Sequence, residues 1–227
     1  MKAMILAAGL GERMRPLTDH TPKPLLRVAD TPLIEHHIRR LAAAGVRQLV
    51  INVSHLAEQI MEYCGDGRAW GVSIAYSQEE GPLETAGGII RALPLLGAAP
   101  FLVVNGDIWT DYPFERLVAY TLAAGETAHL VMVDNPPQHP AGDFALDSEG
   151  RVRVLSPDAT GWTYSGVGLY TPAFFAATAA GKRPLRPLLD AAIGRGCLGG
   201  ETYRGEWQDV GTPQRLEALD SAVRARA

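Results

Sequence analysis

Two glycines, an arginine and a lysine near the start of the chain carry its clearest chemical signal. Gly9-Leu-Gly11-Glu-Arg13 follows a short apolar run, and Pro22-Lys23-Pro24 comes ten residues after Arg13. Glycines lack Cβ, so backbone N–H groups in such a turn can approach an oxyanion closely. Arg13 and Lys23 bring two cations to the same place, and adjacent phosphates need that charge. Other glycine loops fit poorly. A dinucleotide fingerprint needs a third glycine where Met14 stands, and a Walker A loop needs Gly-Lys-Ser or Gly-Lys-Thr, which does not follow Gly11. Glycine spacing alone would suit a structural tight turn equally well; the cations and the acids downstream favour the phosphate cradle.

Those acids are Asp107, in Asn105-Gly106-Asp107 at the end of the apolar run Phe101–Val104, and Asp209, in Trp207-Gln-Asp-Val-Gly-Thr212 before a helix start. In open α/β sheets the ligand crevice lies outside the carboxyl ends of the strands, so the glycine turn and Asp107 should face one another. Two carboxylates at a phosphate site point to Mg²⁺, a hard cation that takes oxygen ligands. Taken singly, Asp107 reads as a turn residue and Asp209 as a surface acid.

Alternating elements must position these groups. Strands are expected at Met4–Ala7, Gln48–Val53, Val72–Tyr76 and Phe101–Asn105, and helices at Leu33–Ala44, His55–Cys64 and Thr85–Leu96. Ile34, Ile38, Leu41 and Ala42 form one apolar stripe, and Leu56, Ile60 and Cys64 another. His36, His37 and His55 lie on these helices as packed or solvated residues. After Asp107 the rhythm loosens: a helix at Phe114–Ala124, a strand at His129–Asp134, a hairpin at Phe144–Leu155, a strand at Tyr164–Tyr170 and a helix at Leu185–Ile193. A strand at Trp207–Val210 then leads to Thr212 as N-cap, Pro213 at N1 and a closing helix. The stretch from Asp134 to Asp143 reads as a substrate-side loop.

With 227 residues, 47% of them hydrophobic, the chain can bury one sizeable core, and a single domain over 1–227 is expected. A net charge of −4 argues against nucleic acid as a partner. Cys64 and Cys197 are far apart without metal-ligand spacing, so reduced thiols and a cytoplasmic location are expected. No signal peptide or membrane-spanning apolar run is seen, and no membrane partner is expected.

LAAGLGERMRPLT followed by TPKPLL resembles the signature of the sugar-1-phosphate nucleotidylyltransferases, and Gly106-Asp107 and Asp209–Thr212 resemble that family's metal and closing motifs. The resemblance spans nearly the whole chain. The wording at Pro82–Ile89, Val104–Tyr112, Tyr164–Tyr170 and Tyr203–Thr212 most resembles the branch that couples UTP to N-acetylmuramate α-1-phosphate in bacterial cell-wall recycling. It implies a Rossmann-like α/β fold, a three-layer α/β/α sandwich with a mixed, mostly parallel sheet. By this resemblance Gly11, Glu12 and Arg13 would hold the β- and γ-phosphates of UTP, Lys23 the α-phosphate, and Asp107 with Asp209 the Mg²⁺. The Ala8-Gly9 backbone and the segment from Glu80 to Gly87 would hold the base. Asn105, Gly142, Asp143, Ser165 and Gly166 would line the sugar pocket, and Arg204 would meet the lactyl carboxylate of the sugar 1-phosphate.

Two departures stand out. Relatives commonly place Gln or Glu before the proline at Pro82, where Gly81 stands, with Glu79 and Glu80 displaced. Relatives also often carry a lysine for the sugar phosphate in the segment corresponding to Val154–Asp158, which has none; Lys182, Arg183 and Arg204 are the candidate substitutes. A mannose- or glucose-1-phosphate nucleotidylyltransferase is the enzyme alternative. A non-catalytic nucleotide-sugar sensor is the other, against which the presence of Arg13, Lys23, Asp107 and Asp209 speaks. No helical assembly tail follows the closing helix, and a monomer is expected.

Overall fold

Runs rich in Val, Ile and Leu, punctuated by Gly and Pro, make the strands of one large sheet. A computed structural model of the chain describes residues 1–226. The strands are β1 (Lys2–Leu6), β2 (Gln48–Val53), β3 (Ser73–Gln78), β4 (Phe101–Asn105), β5 (Ala128–Val133), β6 (Thr163–Tyr170) and β7 (Leu198–Tyr203). Their spatial order is β7-β5-β6-β4-β1-β2-β3, and β6 alone runs antiparallel to its neighbours. The sheet is therefore mixed and mostly parallel, with buried strands that read as near-continuous apolar runs.

Helices α1 (Leu33–Ala43) and α2 (Ala57–Cys64) cover one face, and α3 (Glu84–Leu96), the short α5 (Pro172–Phe175) and α6 (Arg186–Gly194) the other. Successive strand side chains point to opposite faces, so Ala3 and Ile5 pack with Ile34, Ile38 and Ile60, while Met4 packs with Ile89 and Leu189. The result is the expected three-layer α/β/α arrangement. A smaller cluster of Met14, Val28, Leu33, Trp109, Val210 and Leu219 seats the closing helix α7 (Pro213–Arg224) beside the glycine turn. Cys64 and Cys197 are free and buried, and burial pushes the Cys64 thiol up to about 12. No helix among the described residues is long and apolar enough to cross a membrane.

Four local readings differ from expectation. α2 starts at Ala57 rather than His55, because Leu56 adopts a positive φ of 53°. The helix expected over Phe114–Ala124 shrinks to α4 (Glu115–Ala119), since buried Glu126 accepts hydrogen bonds from the Tyr120 hydroxyl at 3.1 Å and the Ala123 N–H at 2.8 Å. β7 was not expected at all: Gly199 and Gly200 weaken its strand signal, yet Gly200 must be bare because a Cβ would lie 2.9 Å from Val152. The strand at Trp207–Asp209 does not join the main sheet and instead pairs antiparallel with Ile108–Thr110.

Candidate active site

β1, β2 and β4 end level, with Leu6 paired to Asn52 on one side and Asn105 on the other. Beyond this carboxyl edge opens a cleft of about 550 Å³, walled by the chain from Leu6 through Met14 and by Lys23, Asn52, Asn105 and Asp107. Ala8, Gly9, Gly11, Glu12 and Arg13 all line it. The turn is held from beneath. Gly11 has a φ of 65°, a Cβ there would meet Thr18 at 2.9 Å, and the Thr18 hydroxyl donates to the Gly11 carbonyl at 2.8 Å. The Ala7 N–H donates to Asn52 Oδ1 at 2.8 Å, Asn52 Nδ2 donates to Glu79 Oε1 at 2.7 Å, and Glu79 Oε2 accepts the Leu83 N–H at 3.1 Å. Buried polar groups satisfied in sequence make a rigid strut from the glycine turn to the loop before α3.

The charged groups meet at the cleft's floor. Lys23 is nearly buried, and its ammonium donates to Asp107 Oδ2 at 2.8 Å, while the Asp107 carboxylate stays partly open to solvent. The Val210 N–H donates to the Asp107 carbonyl at 3.0 Å, and Asp209 is in register with Ile108, so the two acids sit on adjoining backbone. Asp209 Oδ2 pairs with Arg215 Nη1 at 2.6 Å; the Thr212 hydroxyl, capping α7, accepts the Arg215 N–H. Gly211 lines the cleft, and a Cβ there would come within 3.1 Å of both Asp209 oxygens. Asp107 lines the cleft, whereas Asp209 stands on adjoining backbone outside its lining and is paired with Arg215. Both offer only oxygen donors, the kind a hard cation takes, and no group of three acids, cysteines or histidines occurs among the described residues. Behind them, His37 Nε2–H donates to the Ile108 carbonyl at 2.9 Å; burial pushes its pKa down to about 4, so the ring is neutral.

A second cavity of about 510 Å³ shares Glu84, Thr85 and Asn105 with the first and adds Asp143, Phe144, Tyr164 and Arg186. Asp143 is oriented by the Tyr164 N–H at 2.8 Å, with His139 Nε2 3.2 Å from its other oxygen. Gly142 and Gly166 support this wall without lining it. Each has a positive φ, Gly142 lets Asn135 close to within 2.7 Å of where a Cβ would be, and Gly166 does the same for Asn105 at 2.6 Å. Ser165 faces away: its hydroxyl donates to the Val131 carbonyl at 2.7 Å and accepts the Val167 N–H.

Besides Asp209, three further expected residues lie off both cavities. Glu80 is exposed, and its neighbour Glu79 is the buried one. Gly87 packs instead of binding: its N–H donates to the Arg183 carbonyl at 3.1 Å. Arg204 is exposed and stacks 5.3 Å over Trp162, whose N–H pairs with the Phe144 carbonyl at the rim of the second cavity.

Residues 2–226 match the family model described as nucleotidyl transferase. The chain belongs to the nucleotidyl transferase family. It is 52% identical, over 99% of both chains, to a Neisseria meningitidis protein named N-acetylmuramate alpha-1-phosphate uridylyltransferase. It is 37% identical to a Caulobacter vibrioides protein of the same name, covering 97% of this chain and 96% of that one. A solved Bacillus anthracis structure, provisionally assigned as a glucose-1-phosphate thymidylyltransferase, superposes with a TM-score of 0.88 over 99% of this chain and 95% of its own, at 21% identity, and so shares the fold.

Several residues of this nucleotidyl transferase escaped the sequence reading. Asn52 and Glu79 form the strut, Thr18 locks the turn, and Arg215 holds Asp209. Arg186 enters the second cavity with its guanidinium 4.5 Å over the Phe144 ring and its Nε bonded to Asp190 at 2.8 Å. Of the cations expected near the sugar phosphate, Lys182 lies 3.6 Å from Glu84, whereas Arg183 is exposed and its Nη1 donates to the Lys182 carbonyl. The one sequence signal near the strut was the pair of acids displaced from the position before Pro82, of which Glu80 was the candidate and Glu79 is the buried one.

Proposed function

We propose that the chain transfers a uridylyl group from UTP to N-acetylmuramate α-1-phosphate, releasing pyrophosphate. The observation that carries this reading is the convergence of the glycine turn, Lys23 and Asp107 in one cleft that opens, across Glu84, Thr85 and Asn105, into a second cavity of sugar size. Full-length similarity to the Neisseria and Caulobacter relatives supports the choice of UTP and of the muramate. Under this reading the cleft holds the triphosphate and the second cavity holds the sugar.

A phosphate oxygen of the sugar 1-phosphate attacks the α-phosphorus of UTP. A new P–O bond forms, the α–β bridging bond breaks, and its electron pair leaves with pyrophosphate. No side-chain nucleophile is needed. The N–H groups of the Gly9–Arg13 turn and the Arg13 guanidinium bind the β- and γ-phosphates, and nearly buried Lys23 stands where charge grows on the α-phosphate. Asp107 and Asp209 would hold Mg²⁺, which when bound neutralises phosphate charge. Ala8 and Gly9 offer backbone to the nucleotide, Asn105 and Asp143 offer polar side chains to the sugar, and Arg204 at the Trp162 rim reaches the lactyl carboxylate. The wider assignment is a monomeric single domain over 1–227, working in the cytoplasm on cell-wall recycling.

A pyrophosphate-release assay over four nucleoside triphosphates and a panel of sugar 1-phosphates tests the reading. UTP with N-acetylmuramate 1-phosphate should give the highest kcat/KM. A clear preference for GTP with mannose 1-phosphate would overturn it.

A further inference from the structure

Glu84 combines three features that neither the phosphate chemistry nor the fold requires of it. It adopts a φ of 61°, in the left-handed region that disfavours any side chain with a Cβ. It stands at the N-terminus of α3 and lines both cavities where they meet. Its carboxylate is partly exposed, and its one ionic partner among the described residues is Lys182, at 3.6 Å, beyond hydrogen-bond length.

The strained backbone is imposed from outside the helix. The Arg183 N–H donates to the Leu83 carbonyl at 2.9 Å and the Gly87 N–H donates to the Arg183 carbonyl at 3.1 Å, so the segment after Gly181 clamps the chain on both sides of Glu84. Gly87 must be bare for this clamp, because a Cβ there would collide with the Gly181 carbonyl. A glycine at position 84 would relieve the strain without disturbing either hydrogen bond. Strain kept where a smaller residue would fit marks a position whose side chain is used.

We propose that Glu84 is a specificity-determining residue whose carboxylate accepts hydrogen bonds from hydroxyl groups of the sugar 1-phosphate. This rests on the reading of the second cavity as the sugar site. A carboxylate is an acceptor only, and a sugar ring presents hydroxyl donors at its edge. Asp143, the other acid of that cavity, already accepts the Tyr164 N–H and faces His139, which leaves Glu84 as the acid there without a hydrogen bond. The ribose of the nucleotide offers hydroxyls too, and the experiment separates the two sources.

Full-length wild type, Glu84→Gly, Glu84→Ala and Glu84→Gln are compared by steady-state pyrophosphate release, using whichever sugar 1-phosphate the wild type turns over best. A failed muramate assignment thus shows itself in the wild type alone. The Gly and Ala variants should raise KM for the sugar 1-phosphate by about tenfold or more, the effect of losing a hydrogen bond to a charged group, with KM for UTP within about twofold of wild type. Glu84→Gln should fall between. Glu84→Gly should melt at the wild-type temperature or about 1–3 °C above it, because strain is relieved while activity is lost. Three results would overturn the proposal: an unchanged sugar KM in Glu84→Gly, a rise confined to the KM for UTP, which would assign the carboxylate to the ribose, or recovery of activity in Glu84→Gly but not in Glu84→Ala, which would reduce position 84 to a backbone role.

Discussion

The two cavities meet at Glu84, Thr85 and Asn105 but are built differently. The first has one continuous stretch, Leu6 to Met14, as its longest wall, with its shape set by buried ties to Thr18 and Asn52; under the proposed function its backbone N–H groups would bind the phosphates. The second is assembled from side chains of five separate segments: Glu84–Thr85, Asn105, Asp143–Phe144, Tyr164 and Pro184–Leu189. Backbone donors read phosphate charge whatever the substrate, and a turn at a strand end is rigid. Side chains contributed singly by separate strands and helices can change one at a time while the backbone stays in place. The proposed function would therefore put the chemistry on the contiguous wall and the selectivity on the composite one.

The largest effect that could break this contrast is at the acid end of the first cleft, where the proposed function puts Mg²⁺. Asp107→Asn keeps the shape but removes a charge from the floor of the first cleft, so turnover should fall by about a thousandfold for every sugar 1-phosphate alike. Steady-state rates across Mg²⁺ concentrations measure it, and a loss seen with one sugar only would erase the division.

A second arm uses pH. Above about 6.5 His37 is neutral in the folded and the unfolded chain, and stability is whole. As pH falls from 6.5 towards 4, the unfolded chain takes up a proton that the buried ring refuses, so stability is lost across that window, by about 3 kcal/mol at most. Urea titrations at several pH values should show a flatter profile for His37→Gln than for wild type; parallel profiles would mean that the ring behind Ile108 is not a neutral support of the first cleft.

At the rim beside the composite wall, Arg204→Ala should cost roughly 1.5–3 kcal/mol in kcat/KM with N-acetylmuramate 1-phosphate and almost nothing with N-acetylglucosamine 1-phosphate, which lacks the carboxylate. Equal losses on both sugars would remove Arg204 from selectivity. The smallest effect is expected from Thr18→Val, which deletes the 2.8 Å bond to the Gly11 carbonyl and should destabilise by about 1 kcal/mol. Its KM for UTP should rise while its KM for the sugar stays level, as measured by the same assay.

How much of this could be read from residue order follows the same division. Gly9, Gly11 and Arg13 announce themselves because a phosphate turn needs particular residues at particular short spacings, and the strand ends at Leu6 and Asn105 follow from apolar runs of the right length. Asp107 was legible for the same reason, since a buried strand delivers it to the sheet edge. Asn52 and Glu79 were not. In sequence they are polar residues at the ends of two strands, and only the parallel register of β1 and β2 sets Asn52 beside Ala7, with Glu79 and Leu83 next in line.

Local rules also lost where a distant partner outweighed propensity. Gly199 and Gly200 argue against a strand, but β5 pairs with them along the whole of β7. The family motif and the alternation of apolar runs thus determined by themselves the α/β class and a glycine turn that faces Asp107, while the ion pair between Lys23 and Asp107 came from the tertiary structure. Tertiary structure decided which acid of Glu79 and Glu80 is buried, that Ser165 turns inward to Val131, and that Arg186 and the strained Glu84 share a cavity with Asp143. The physical reason is range: a turn's conformation depends on residues a few positions apart, whereas a side chain's direction and burial depend on whatever the folded sheet brings against it.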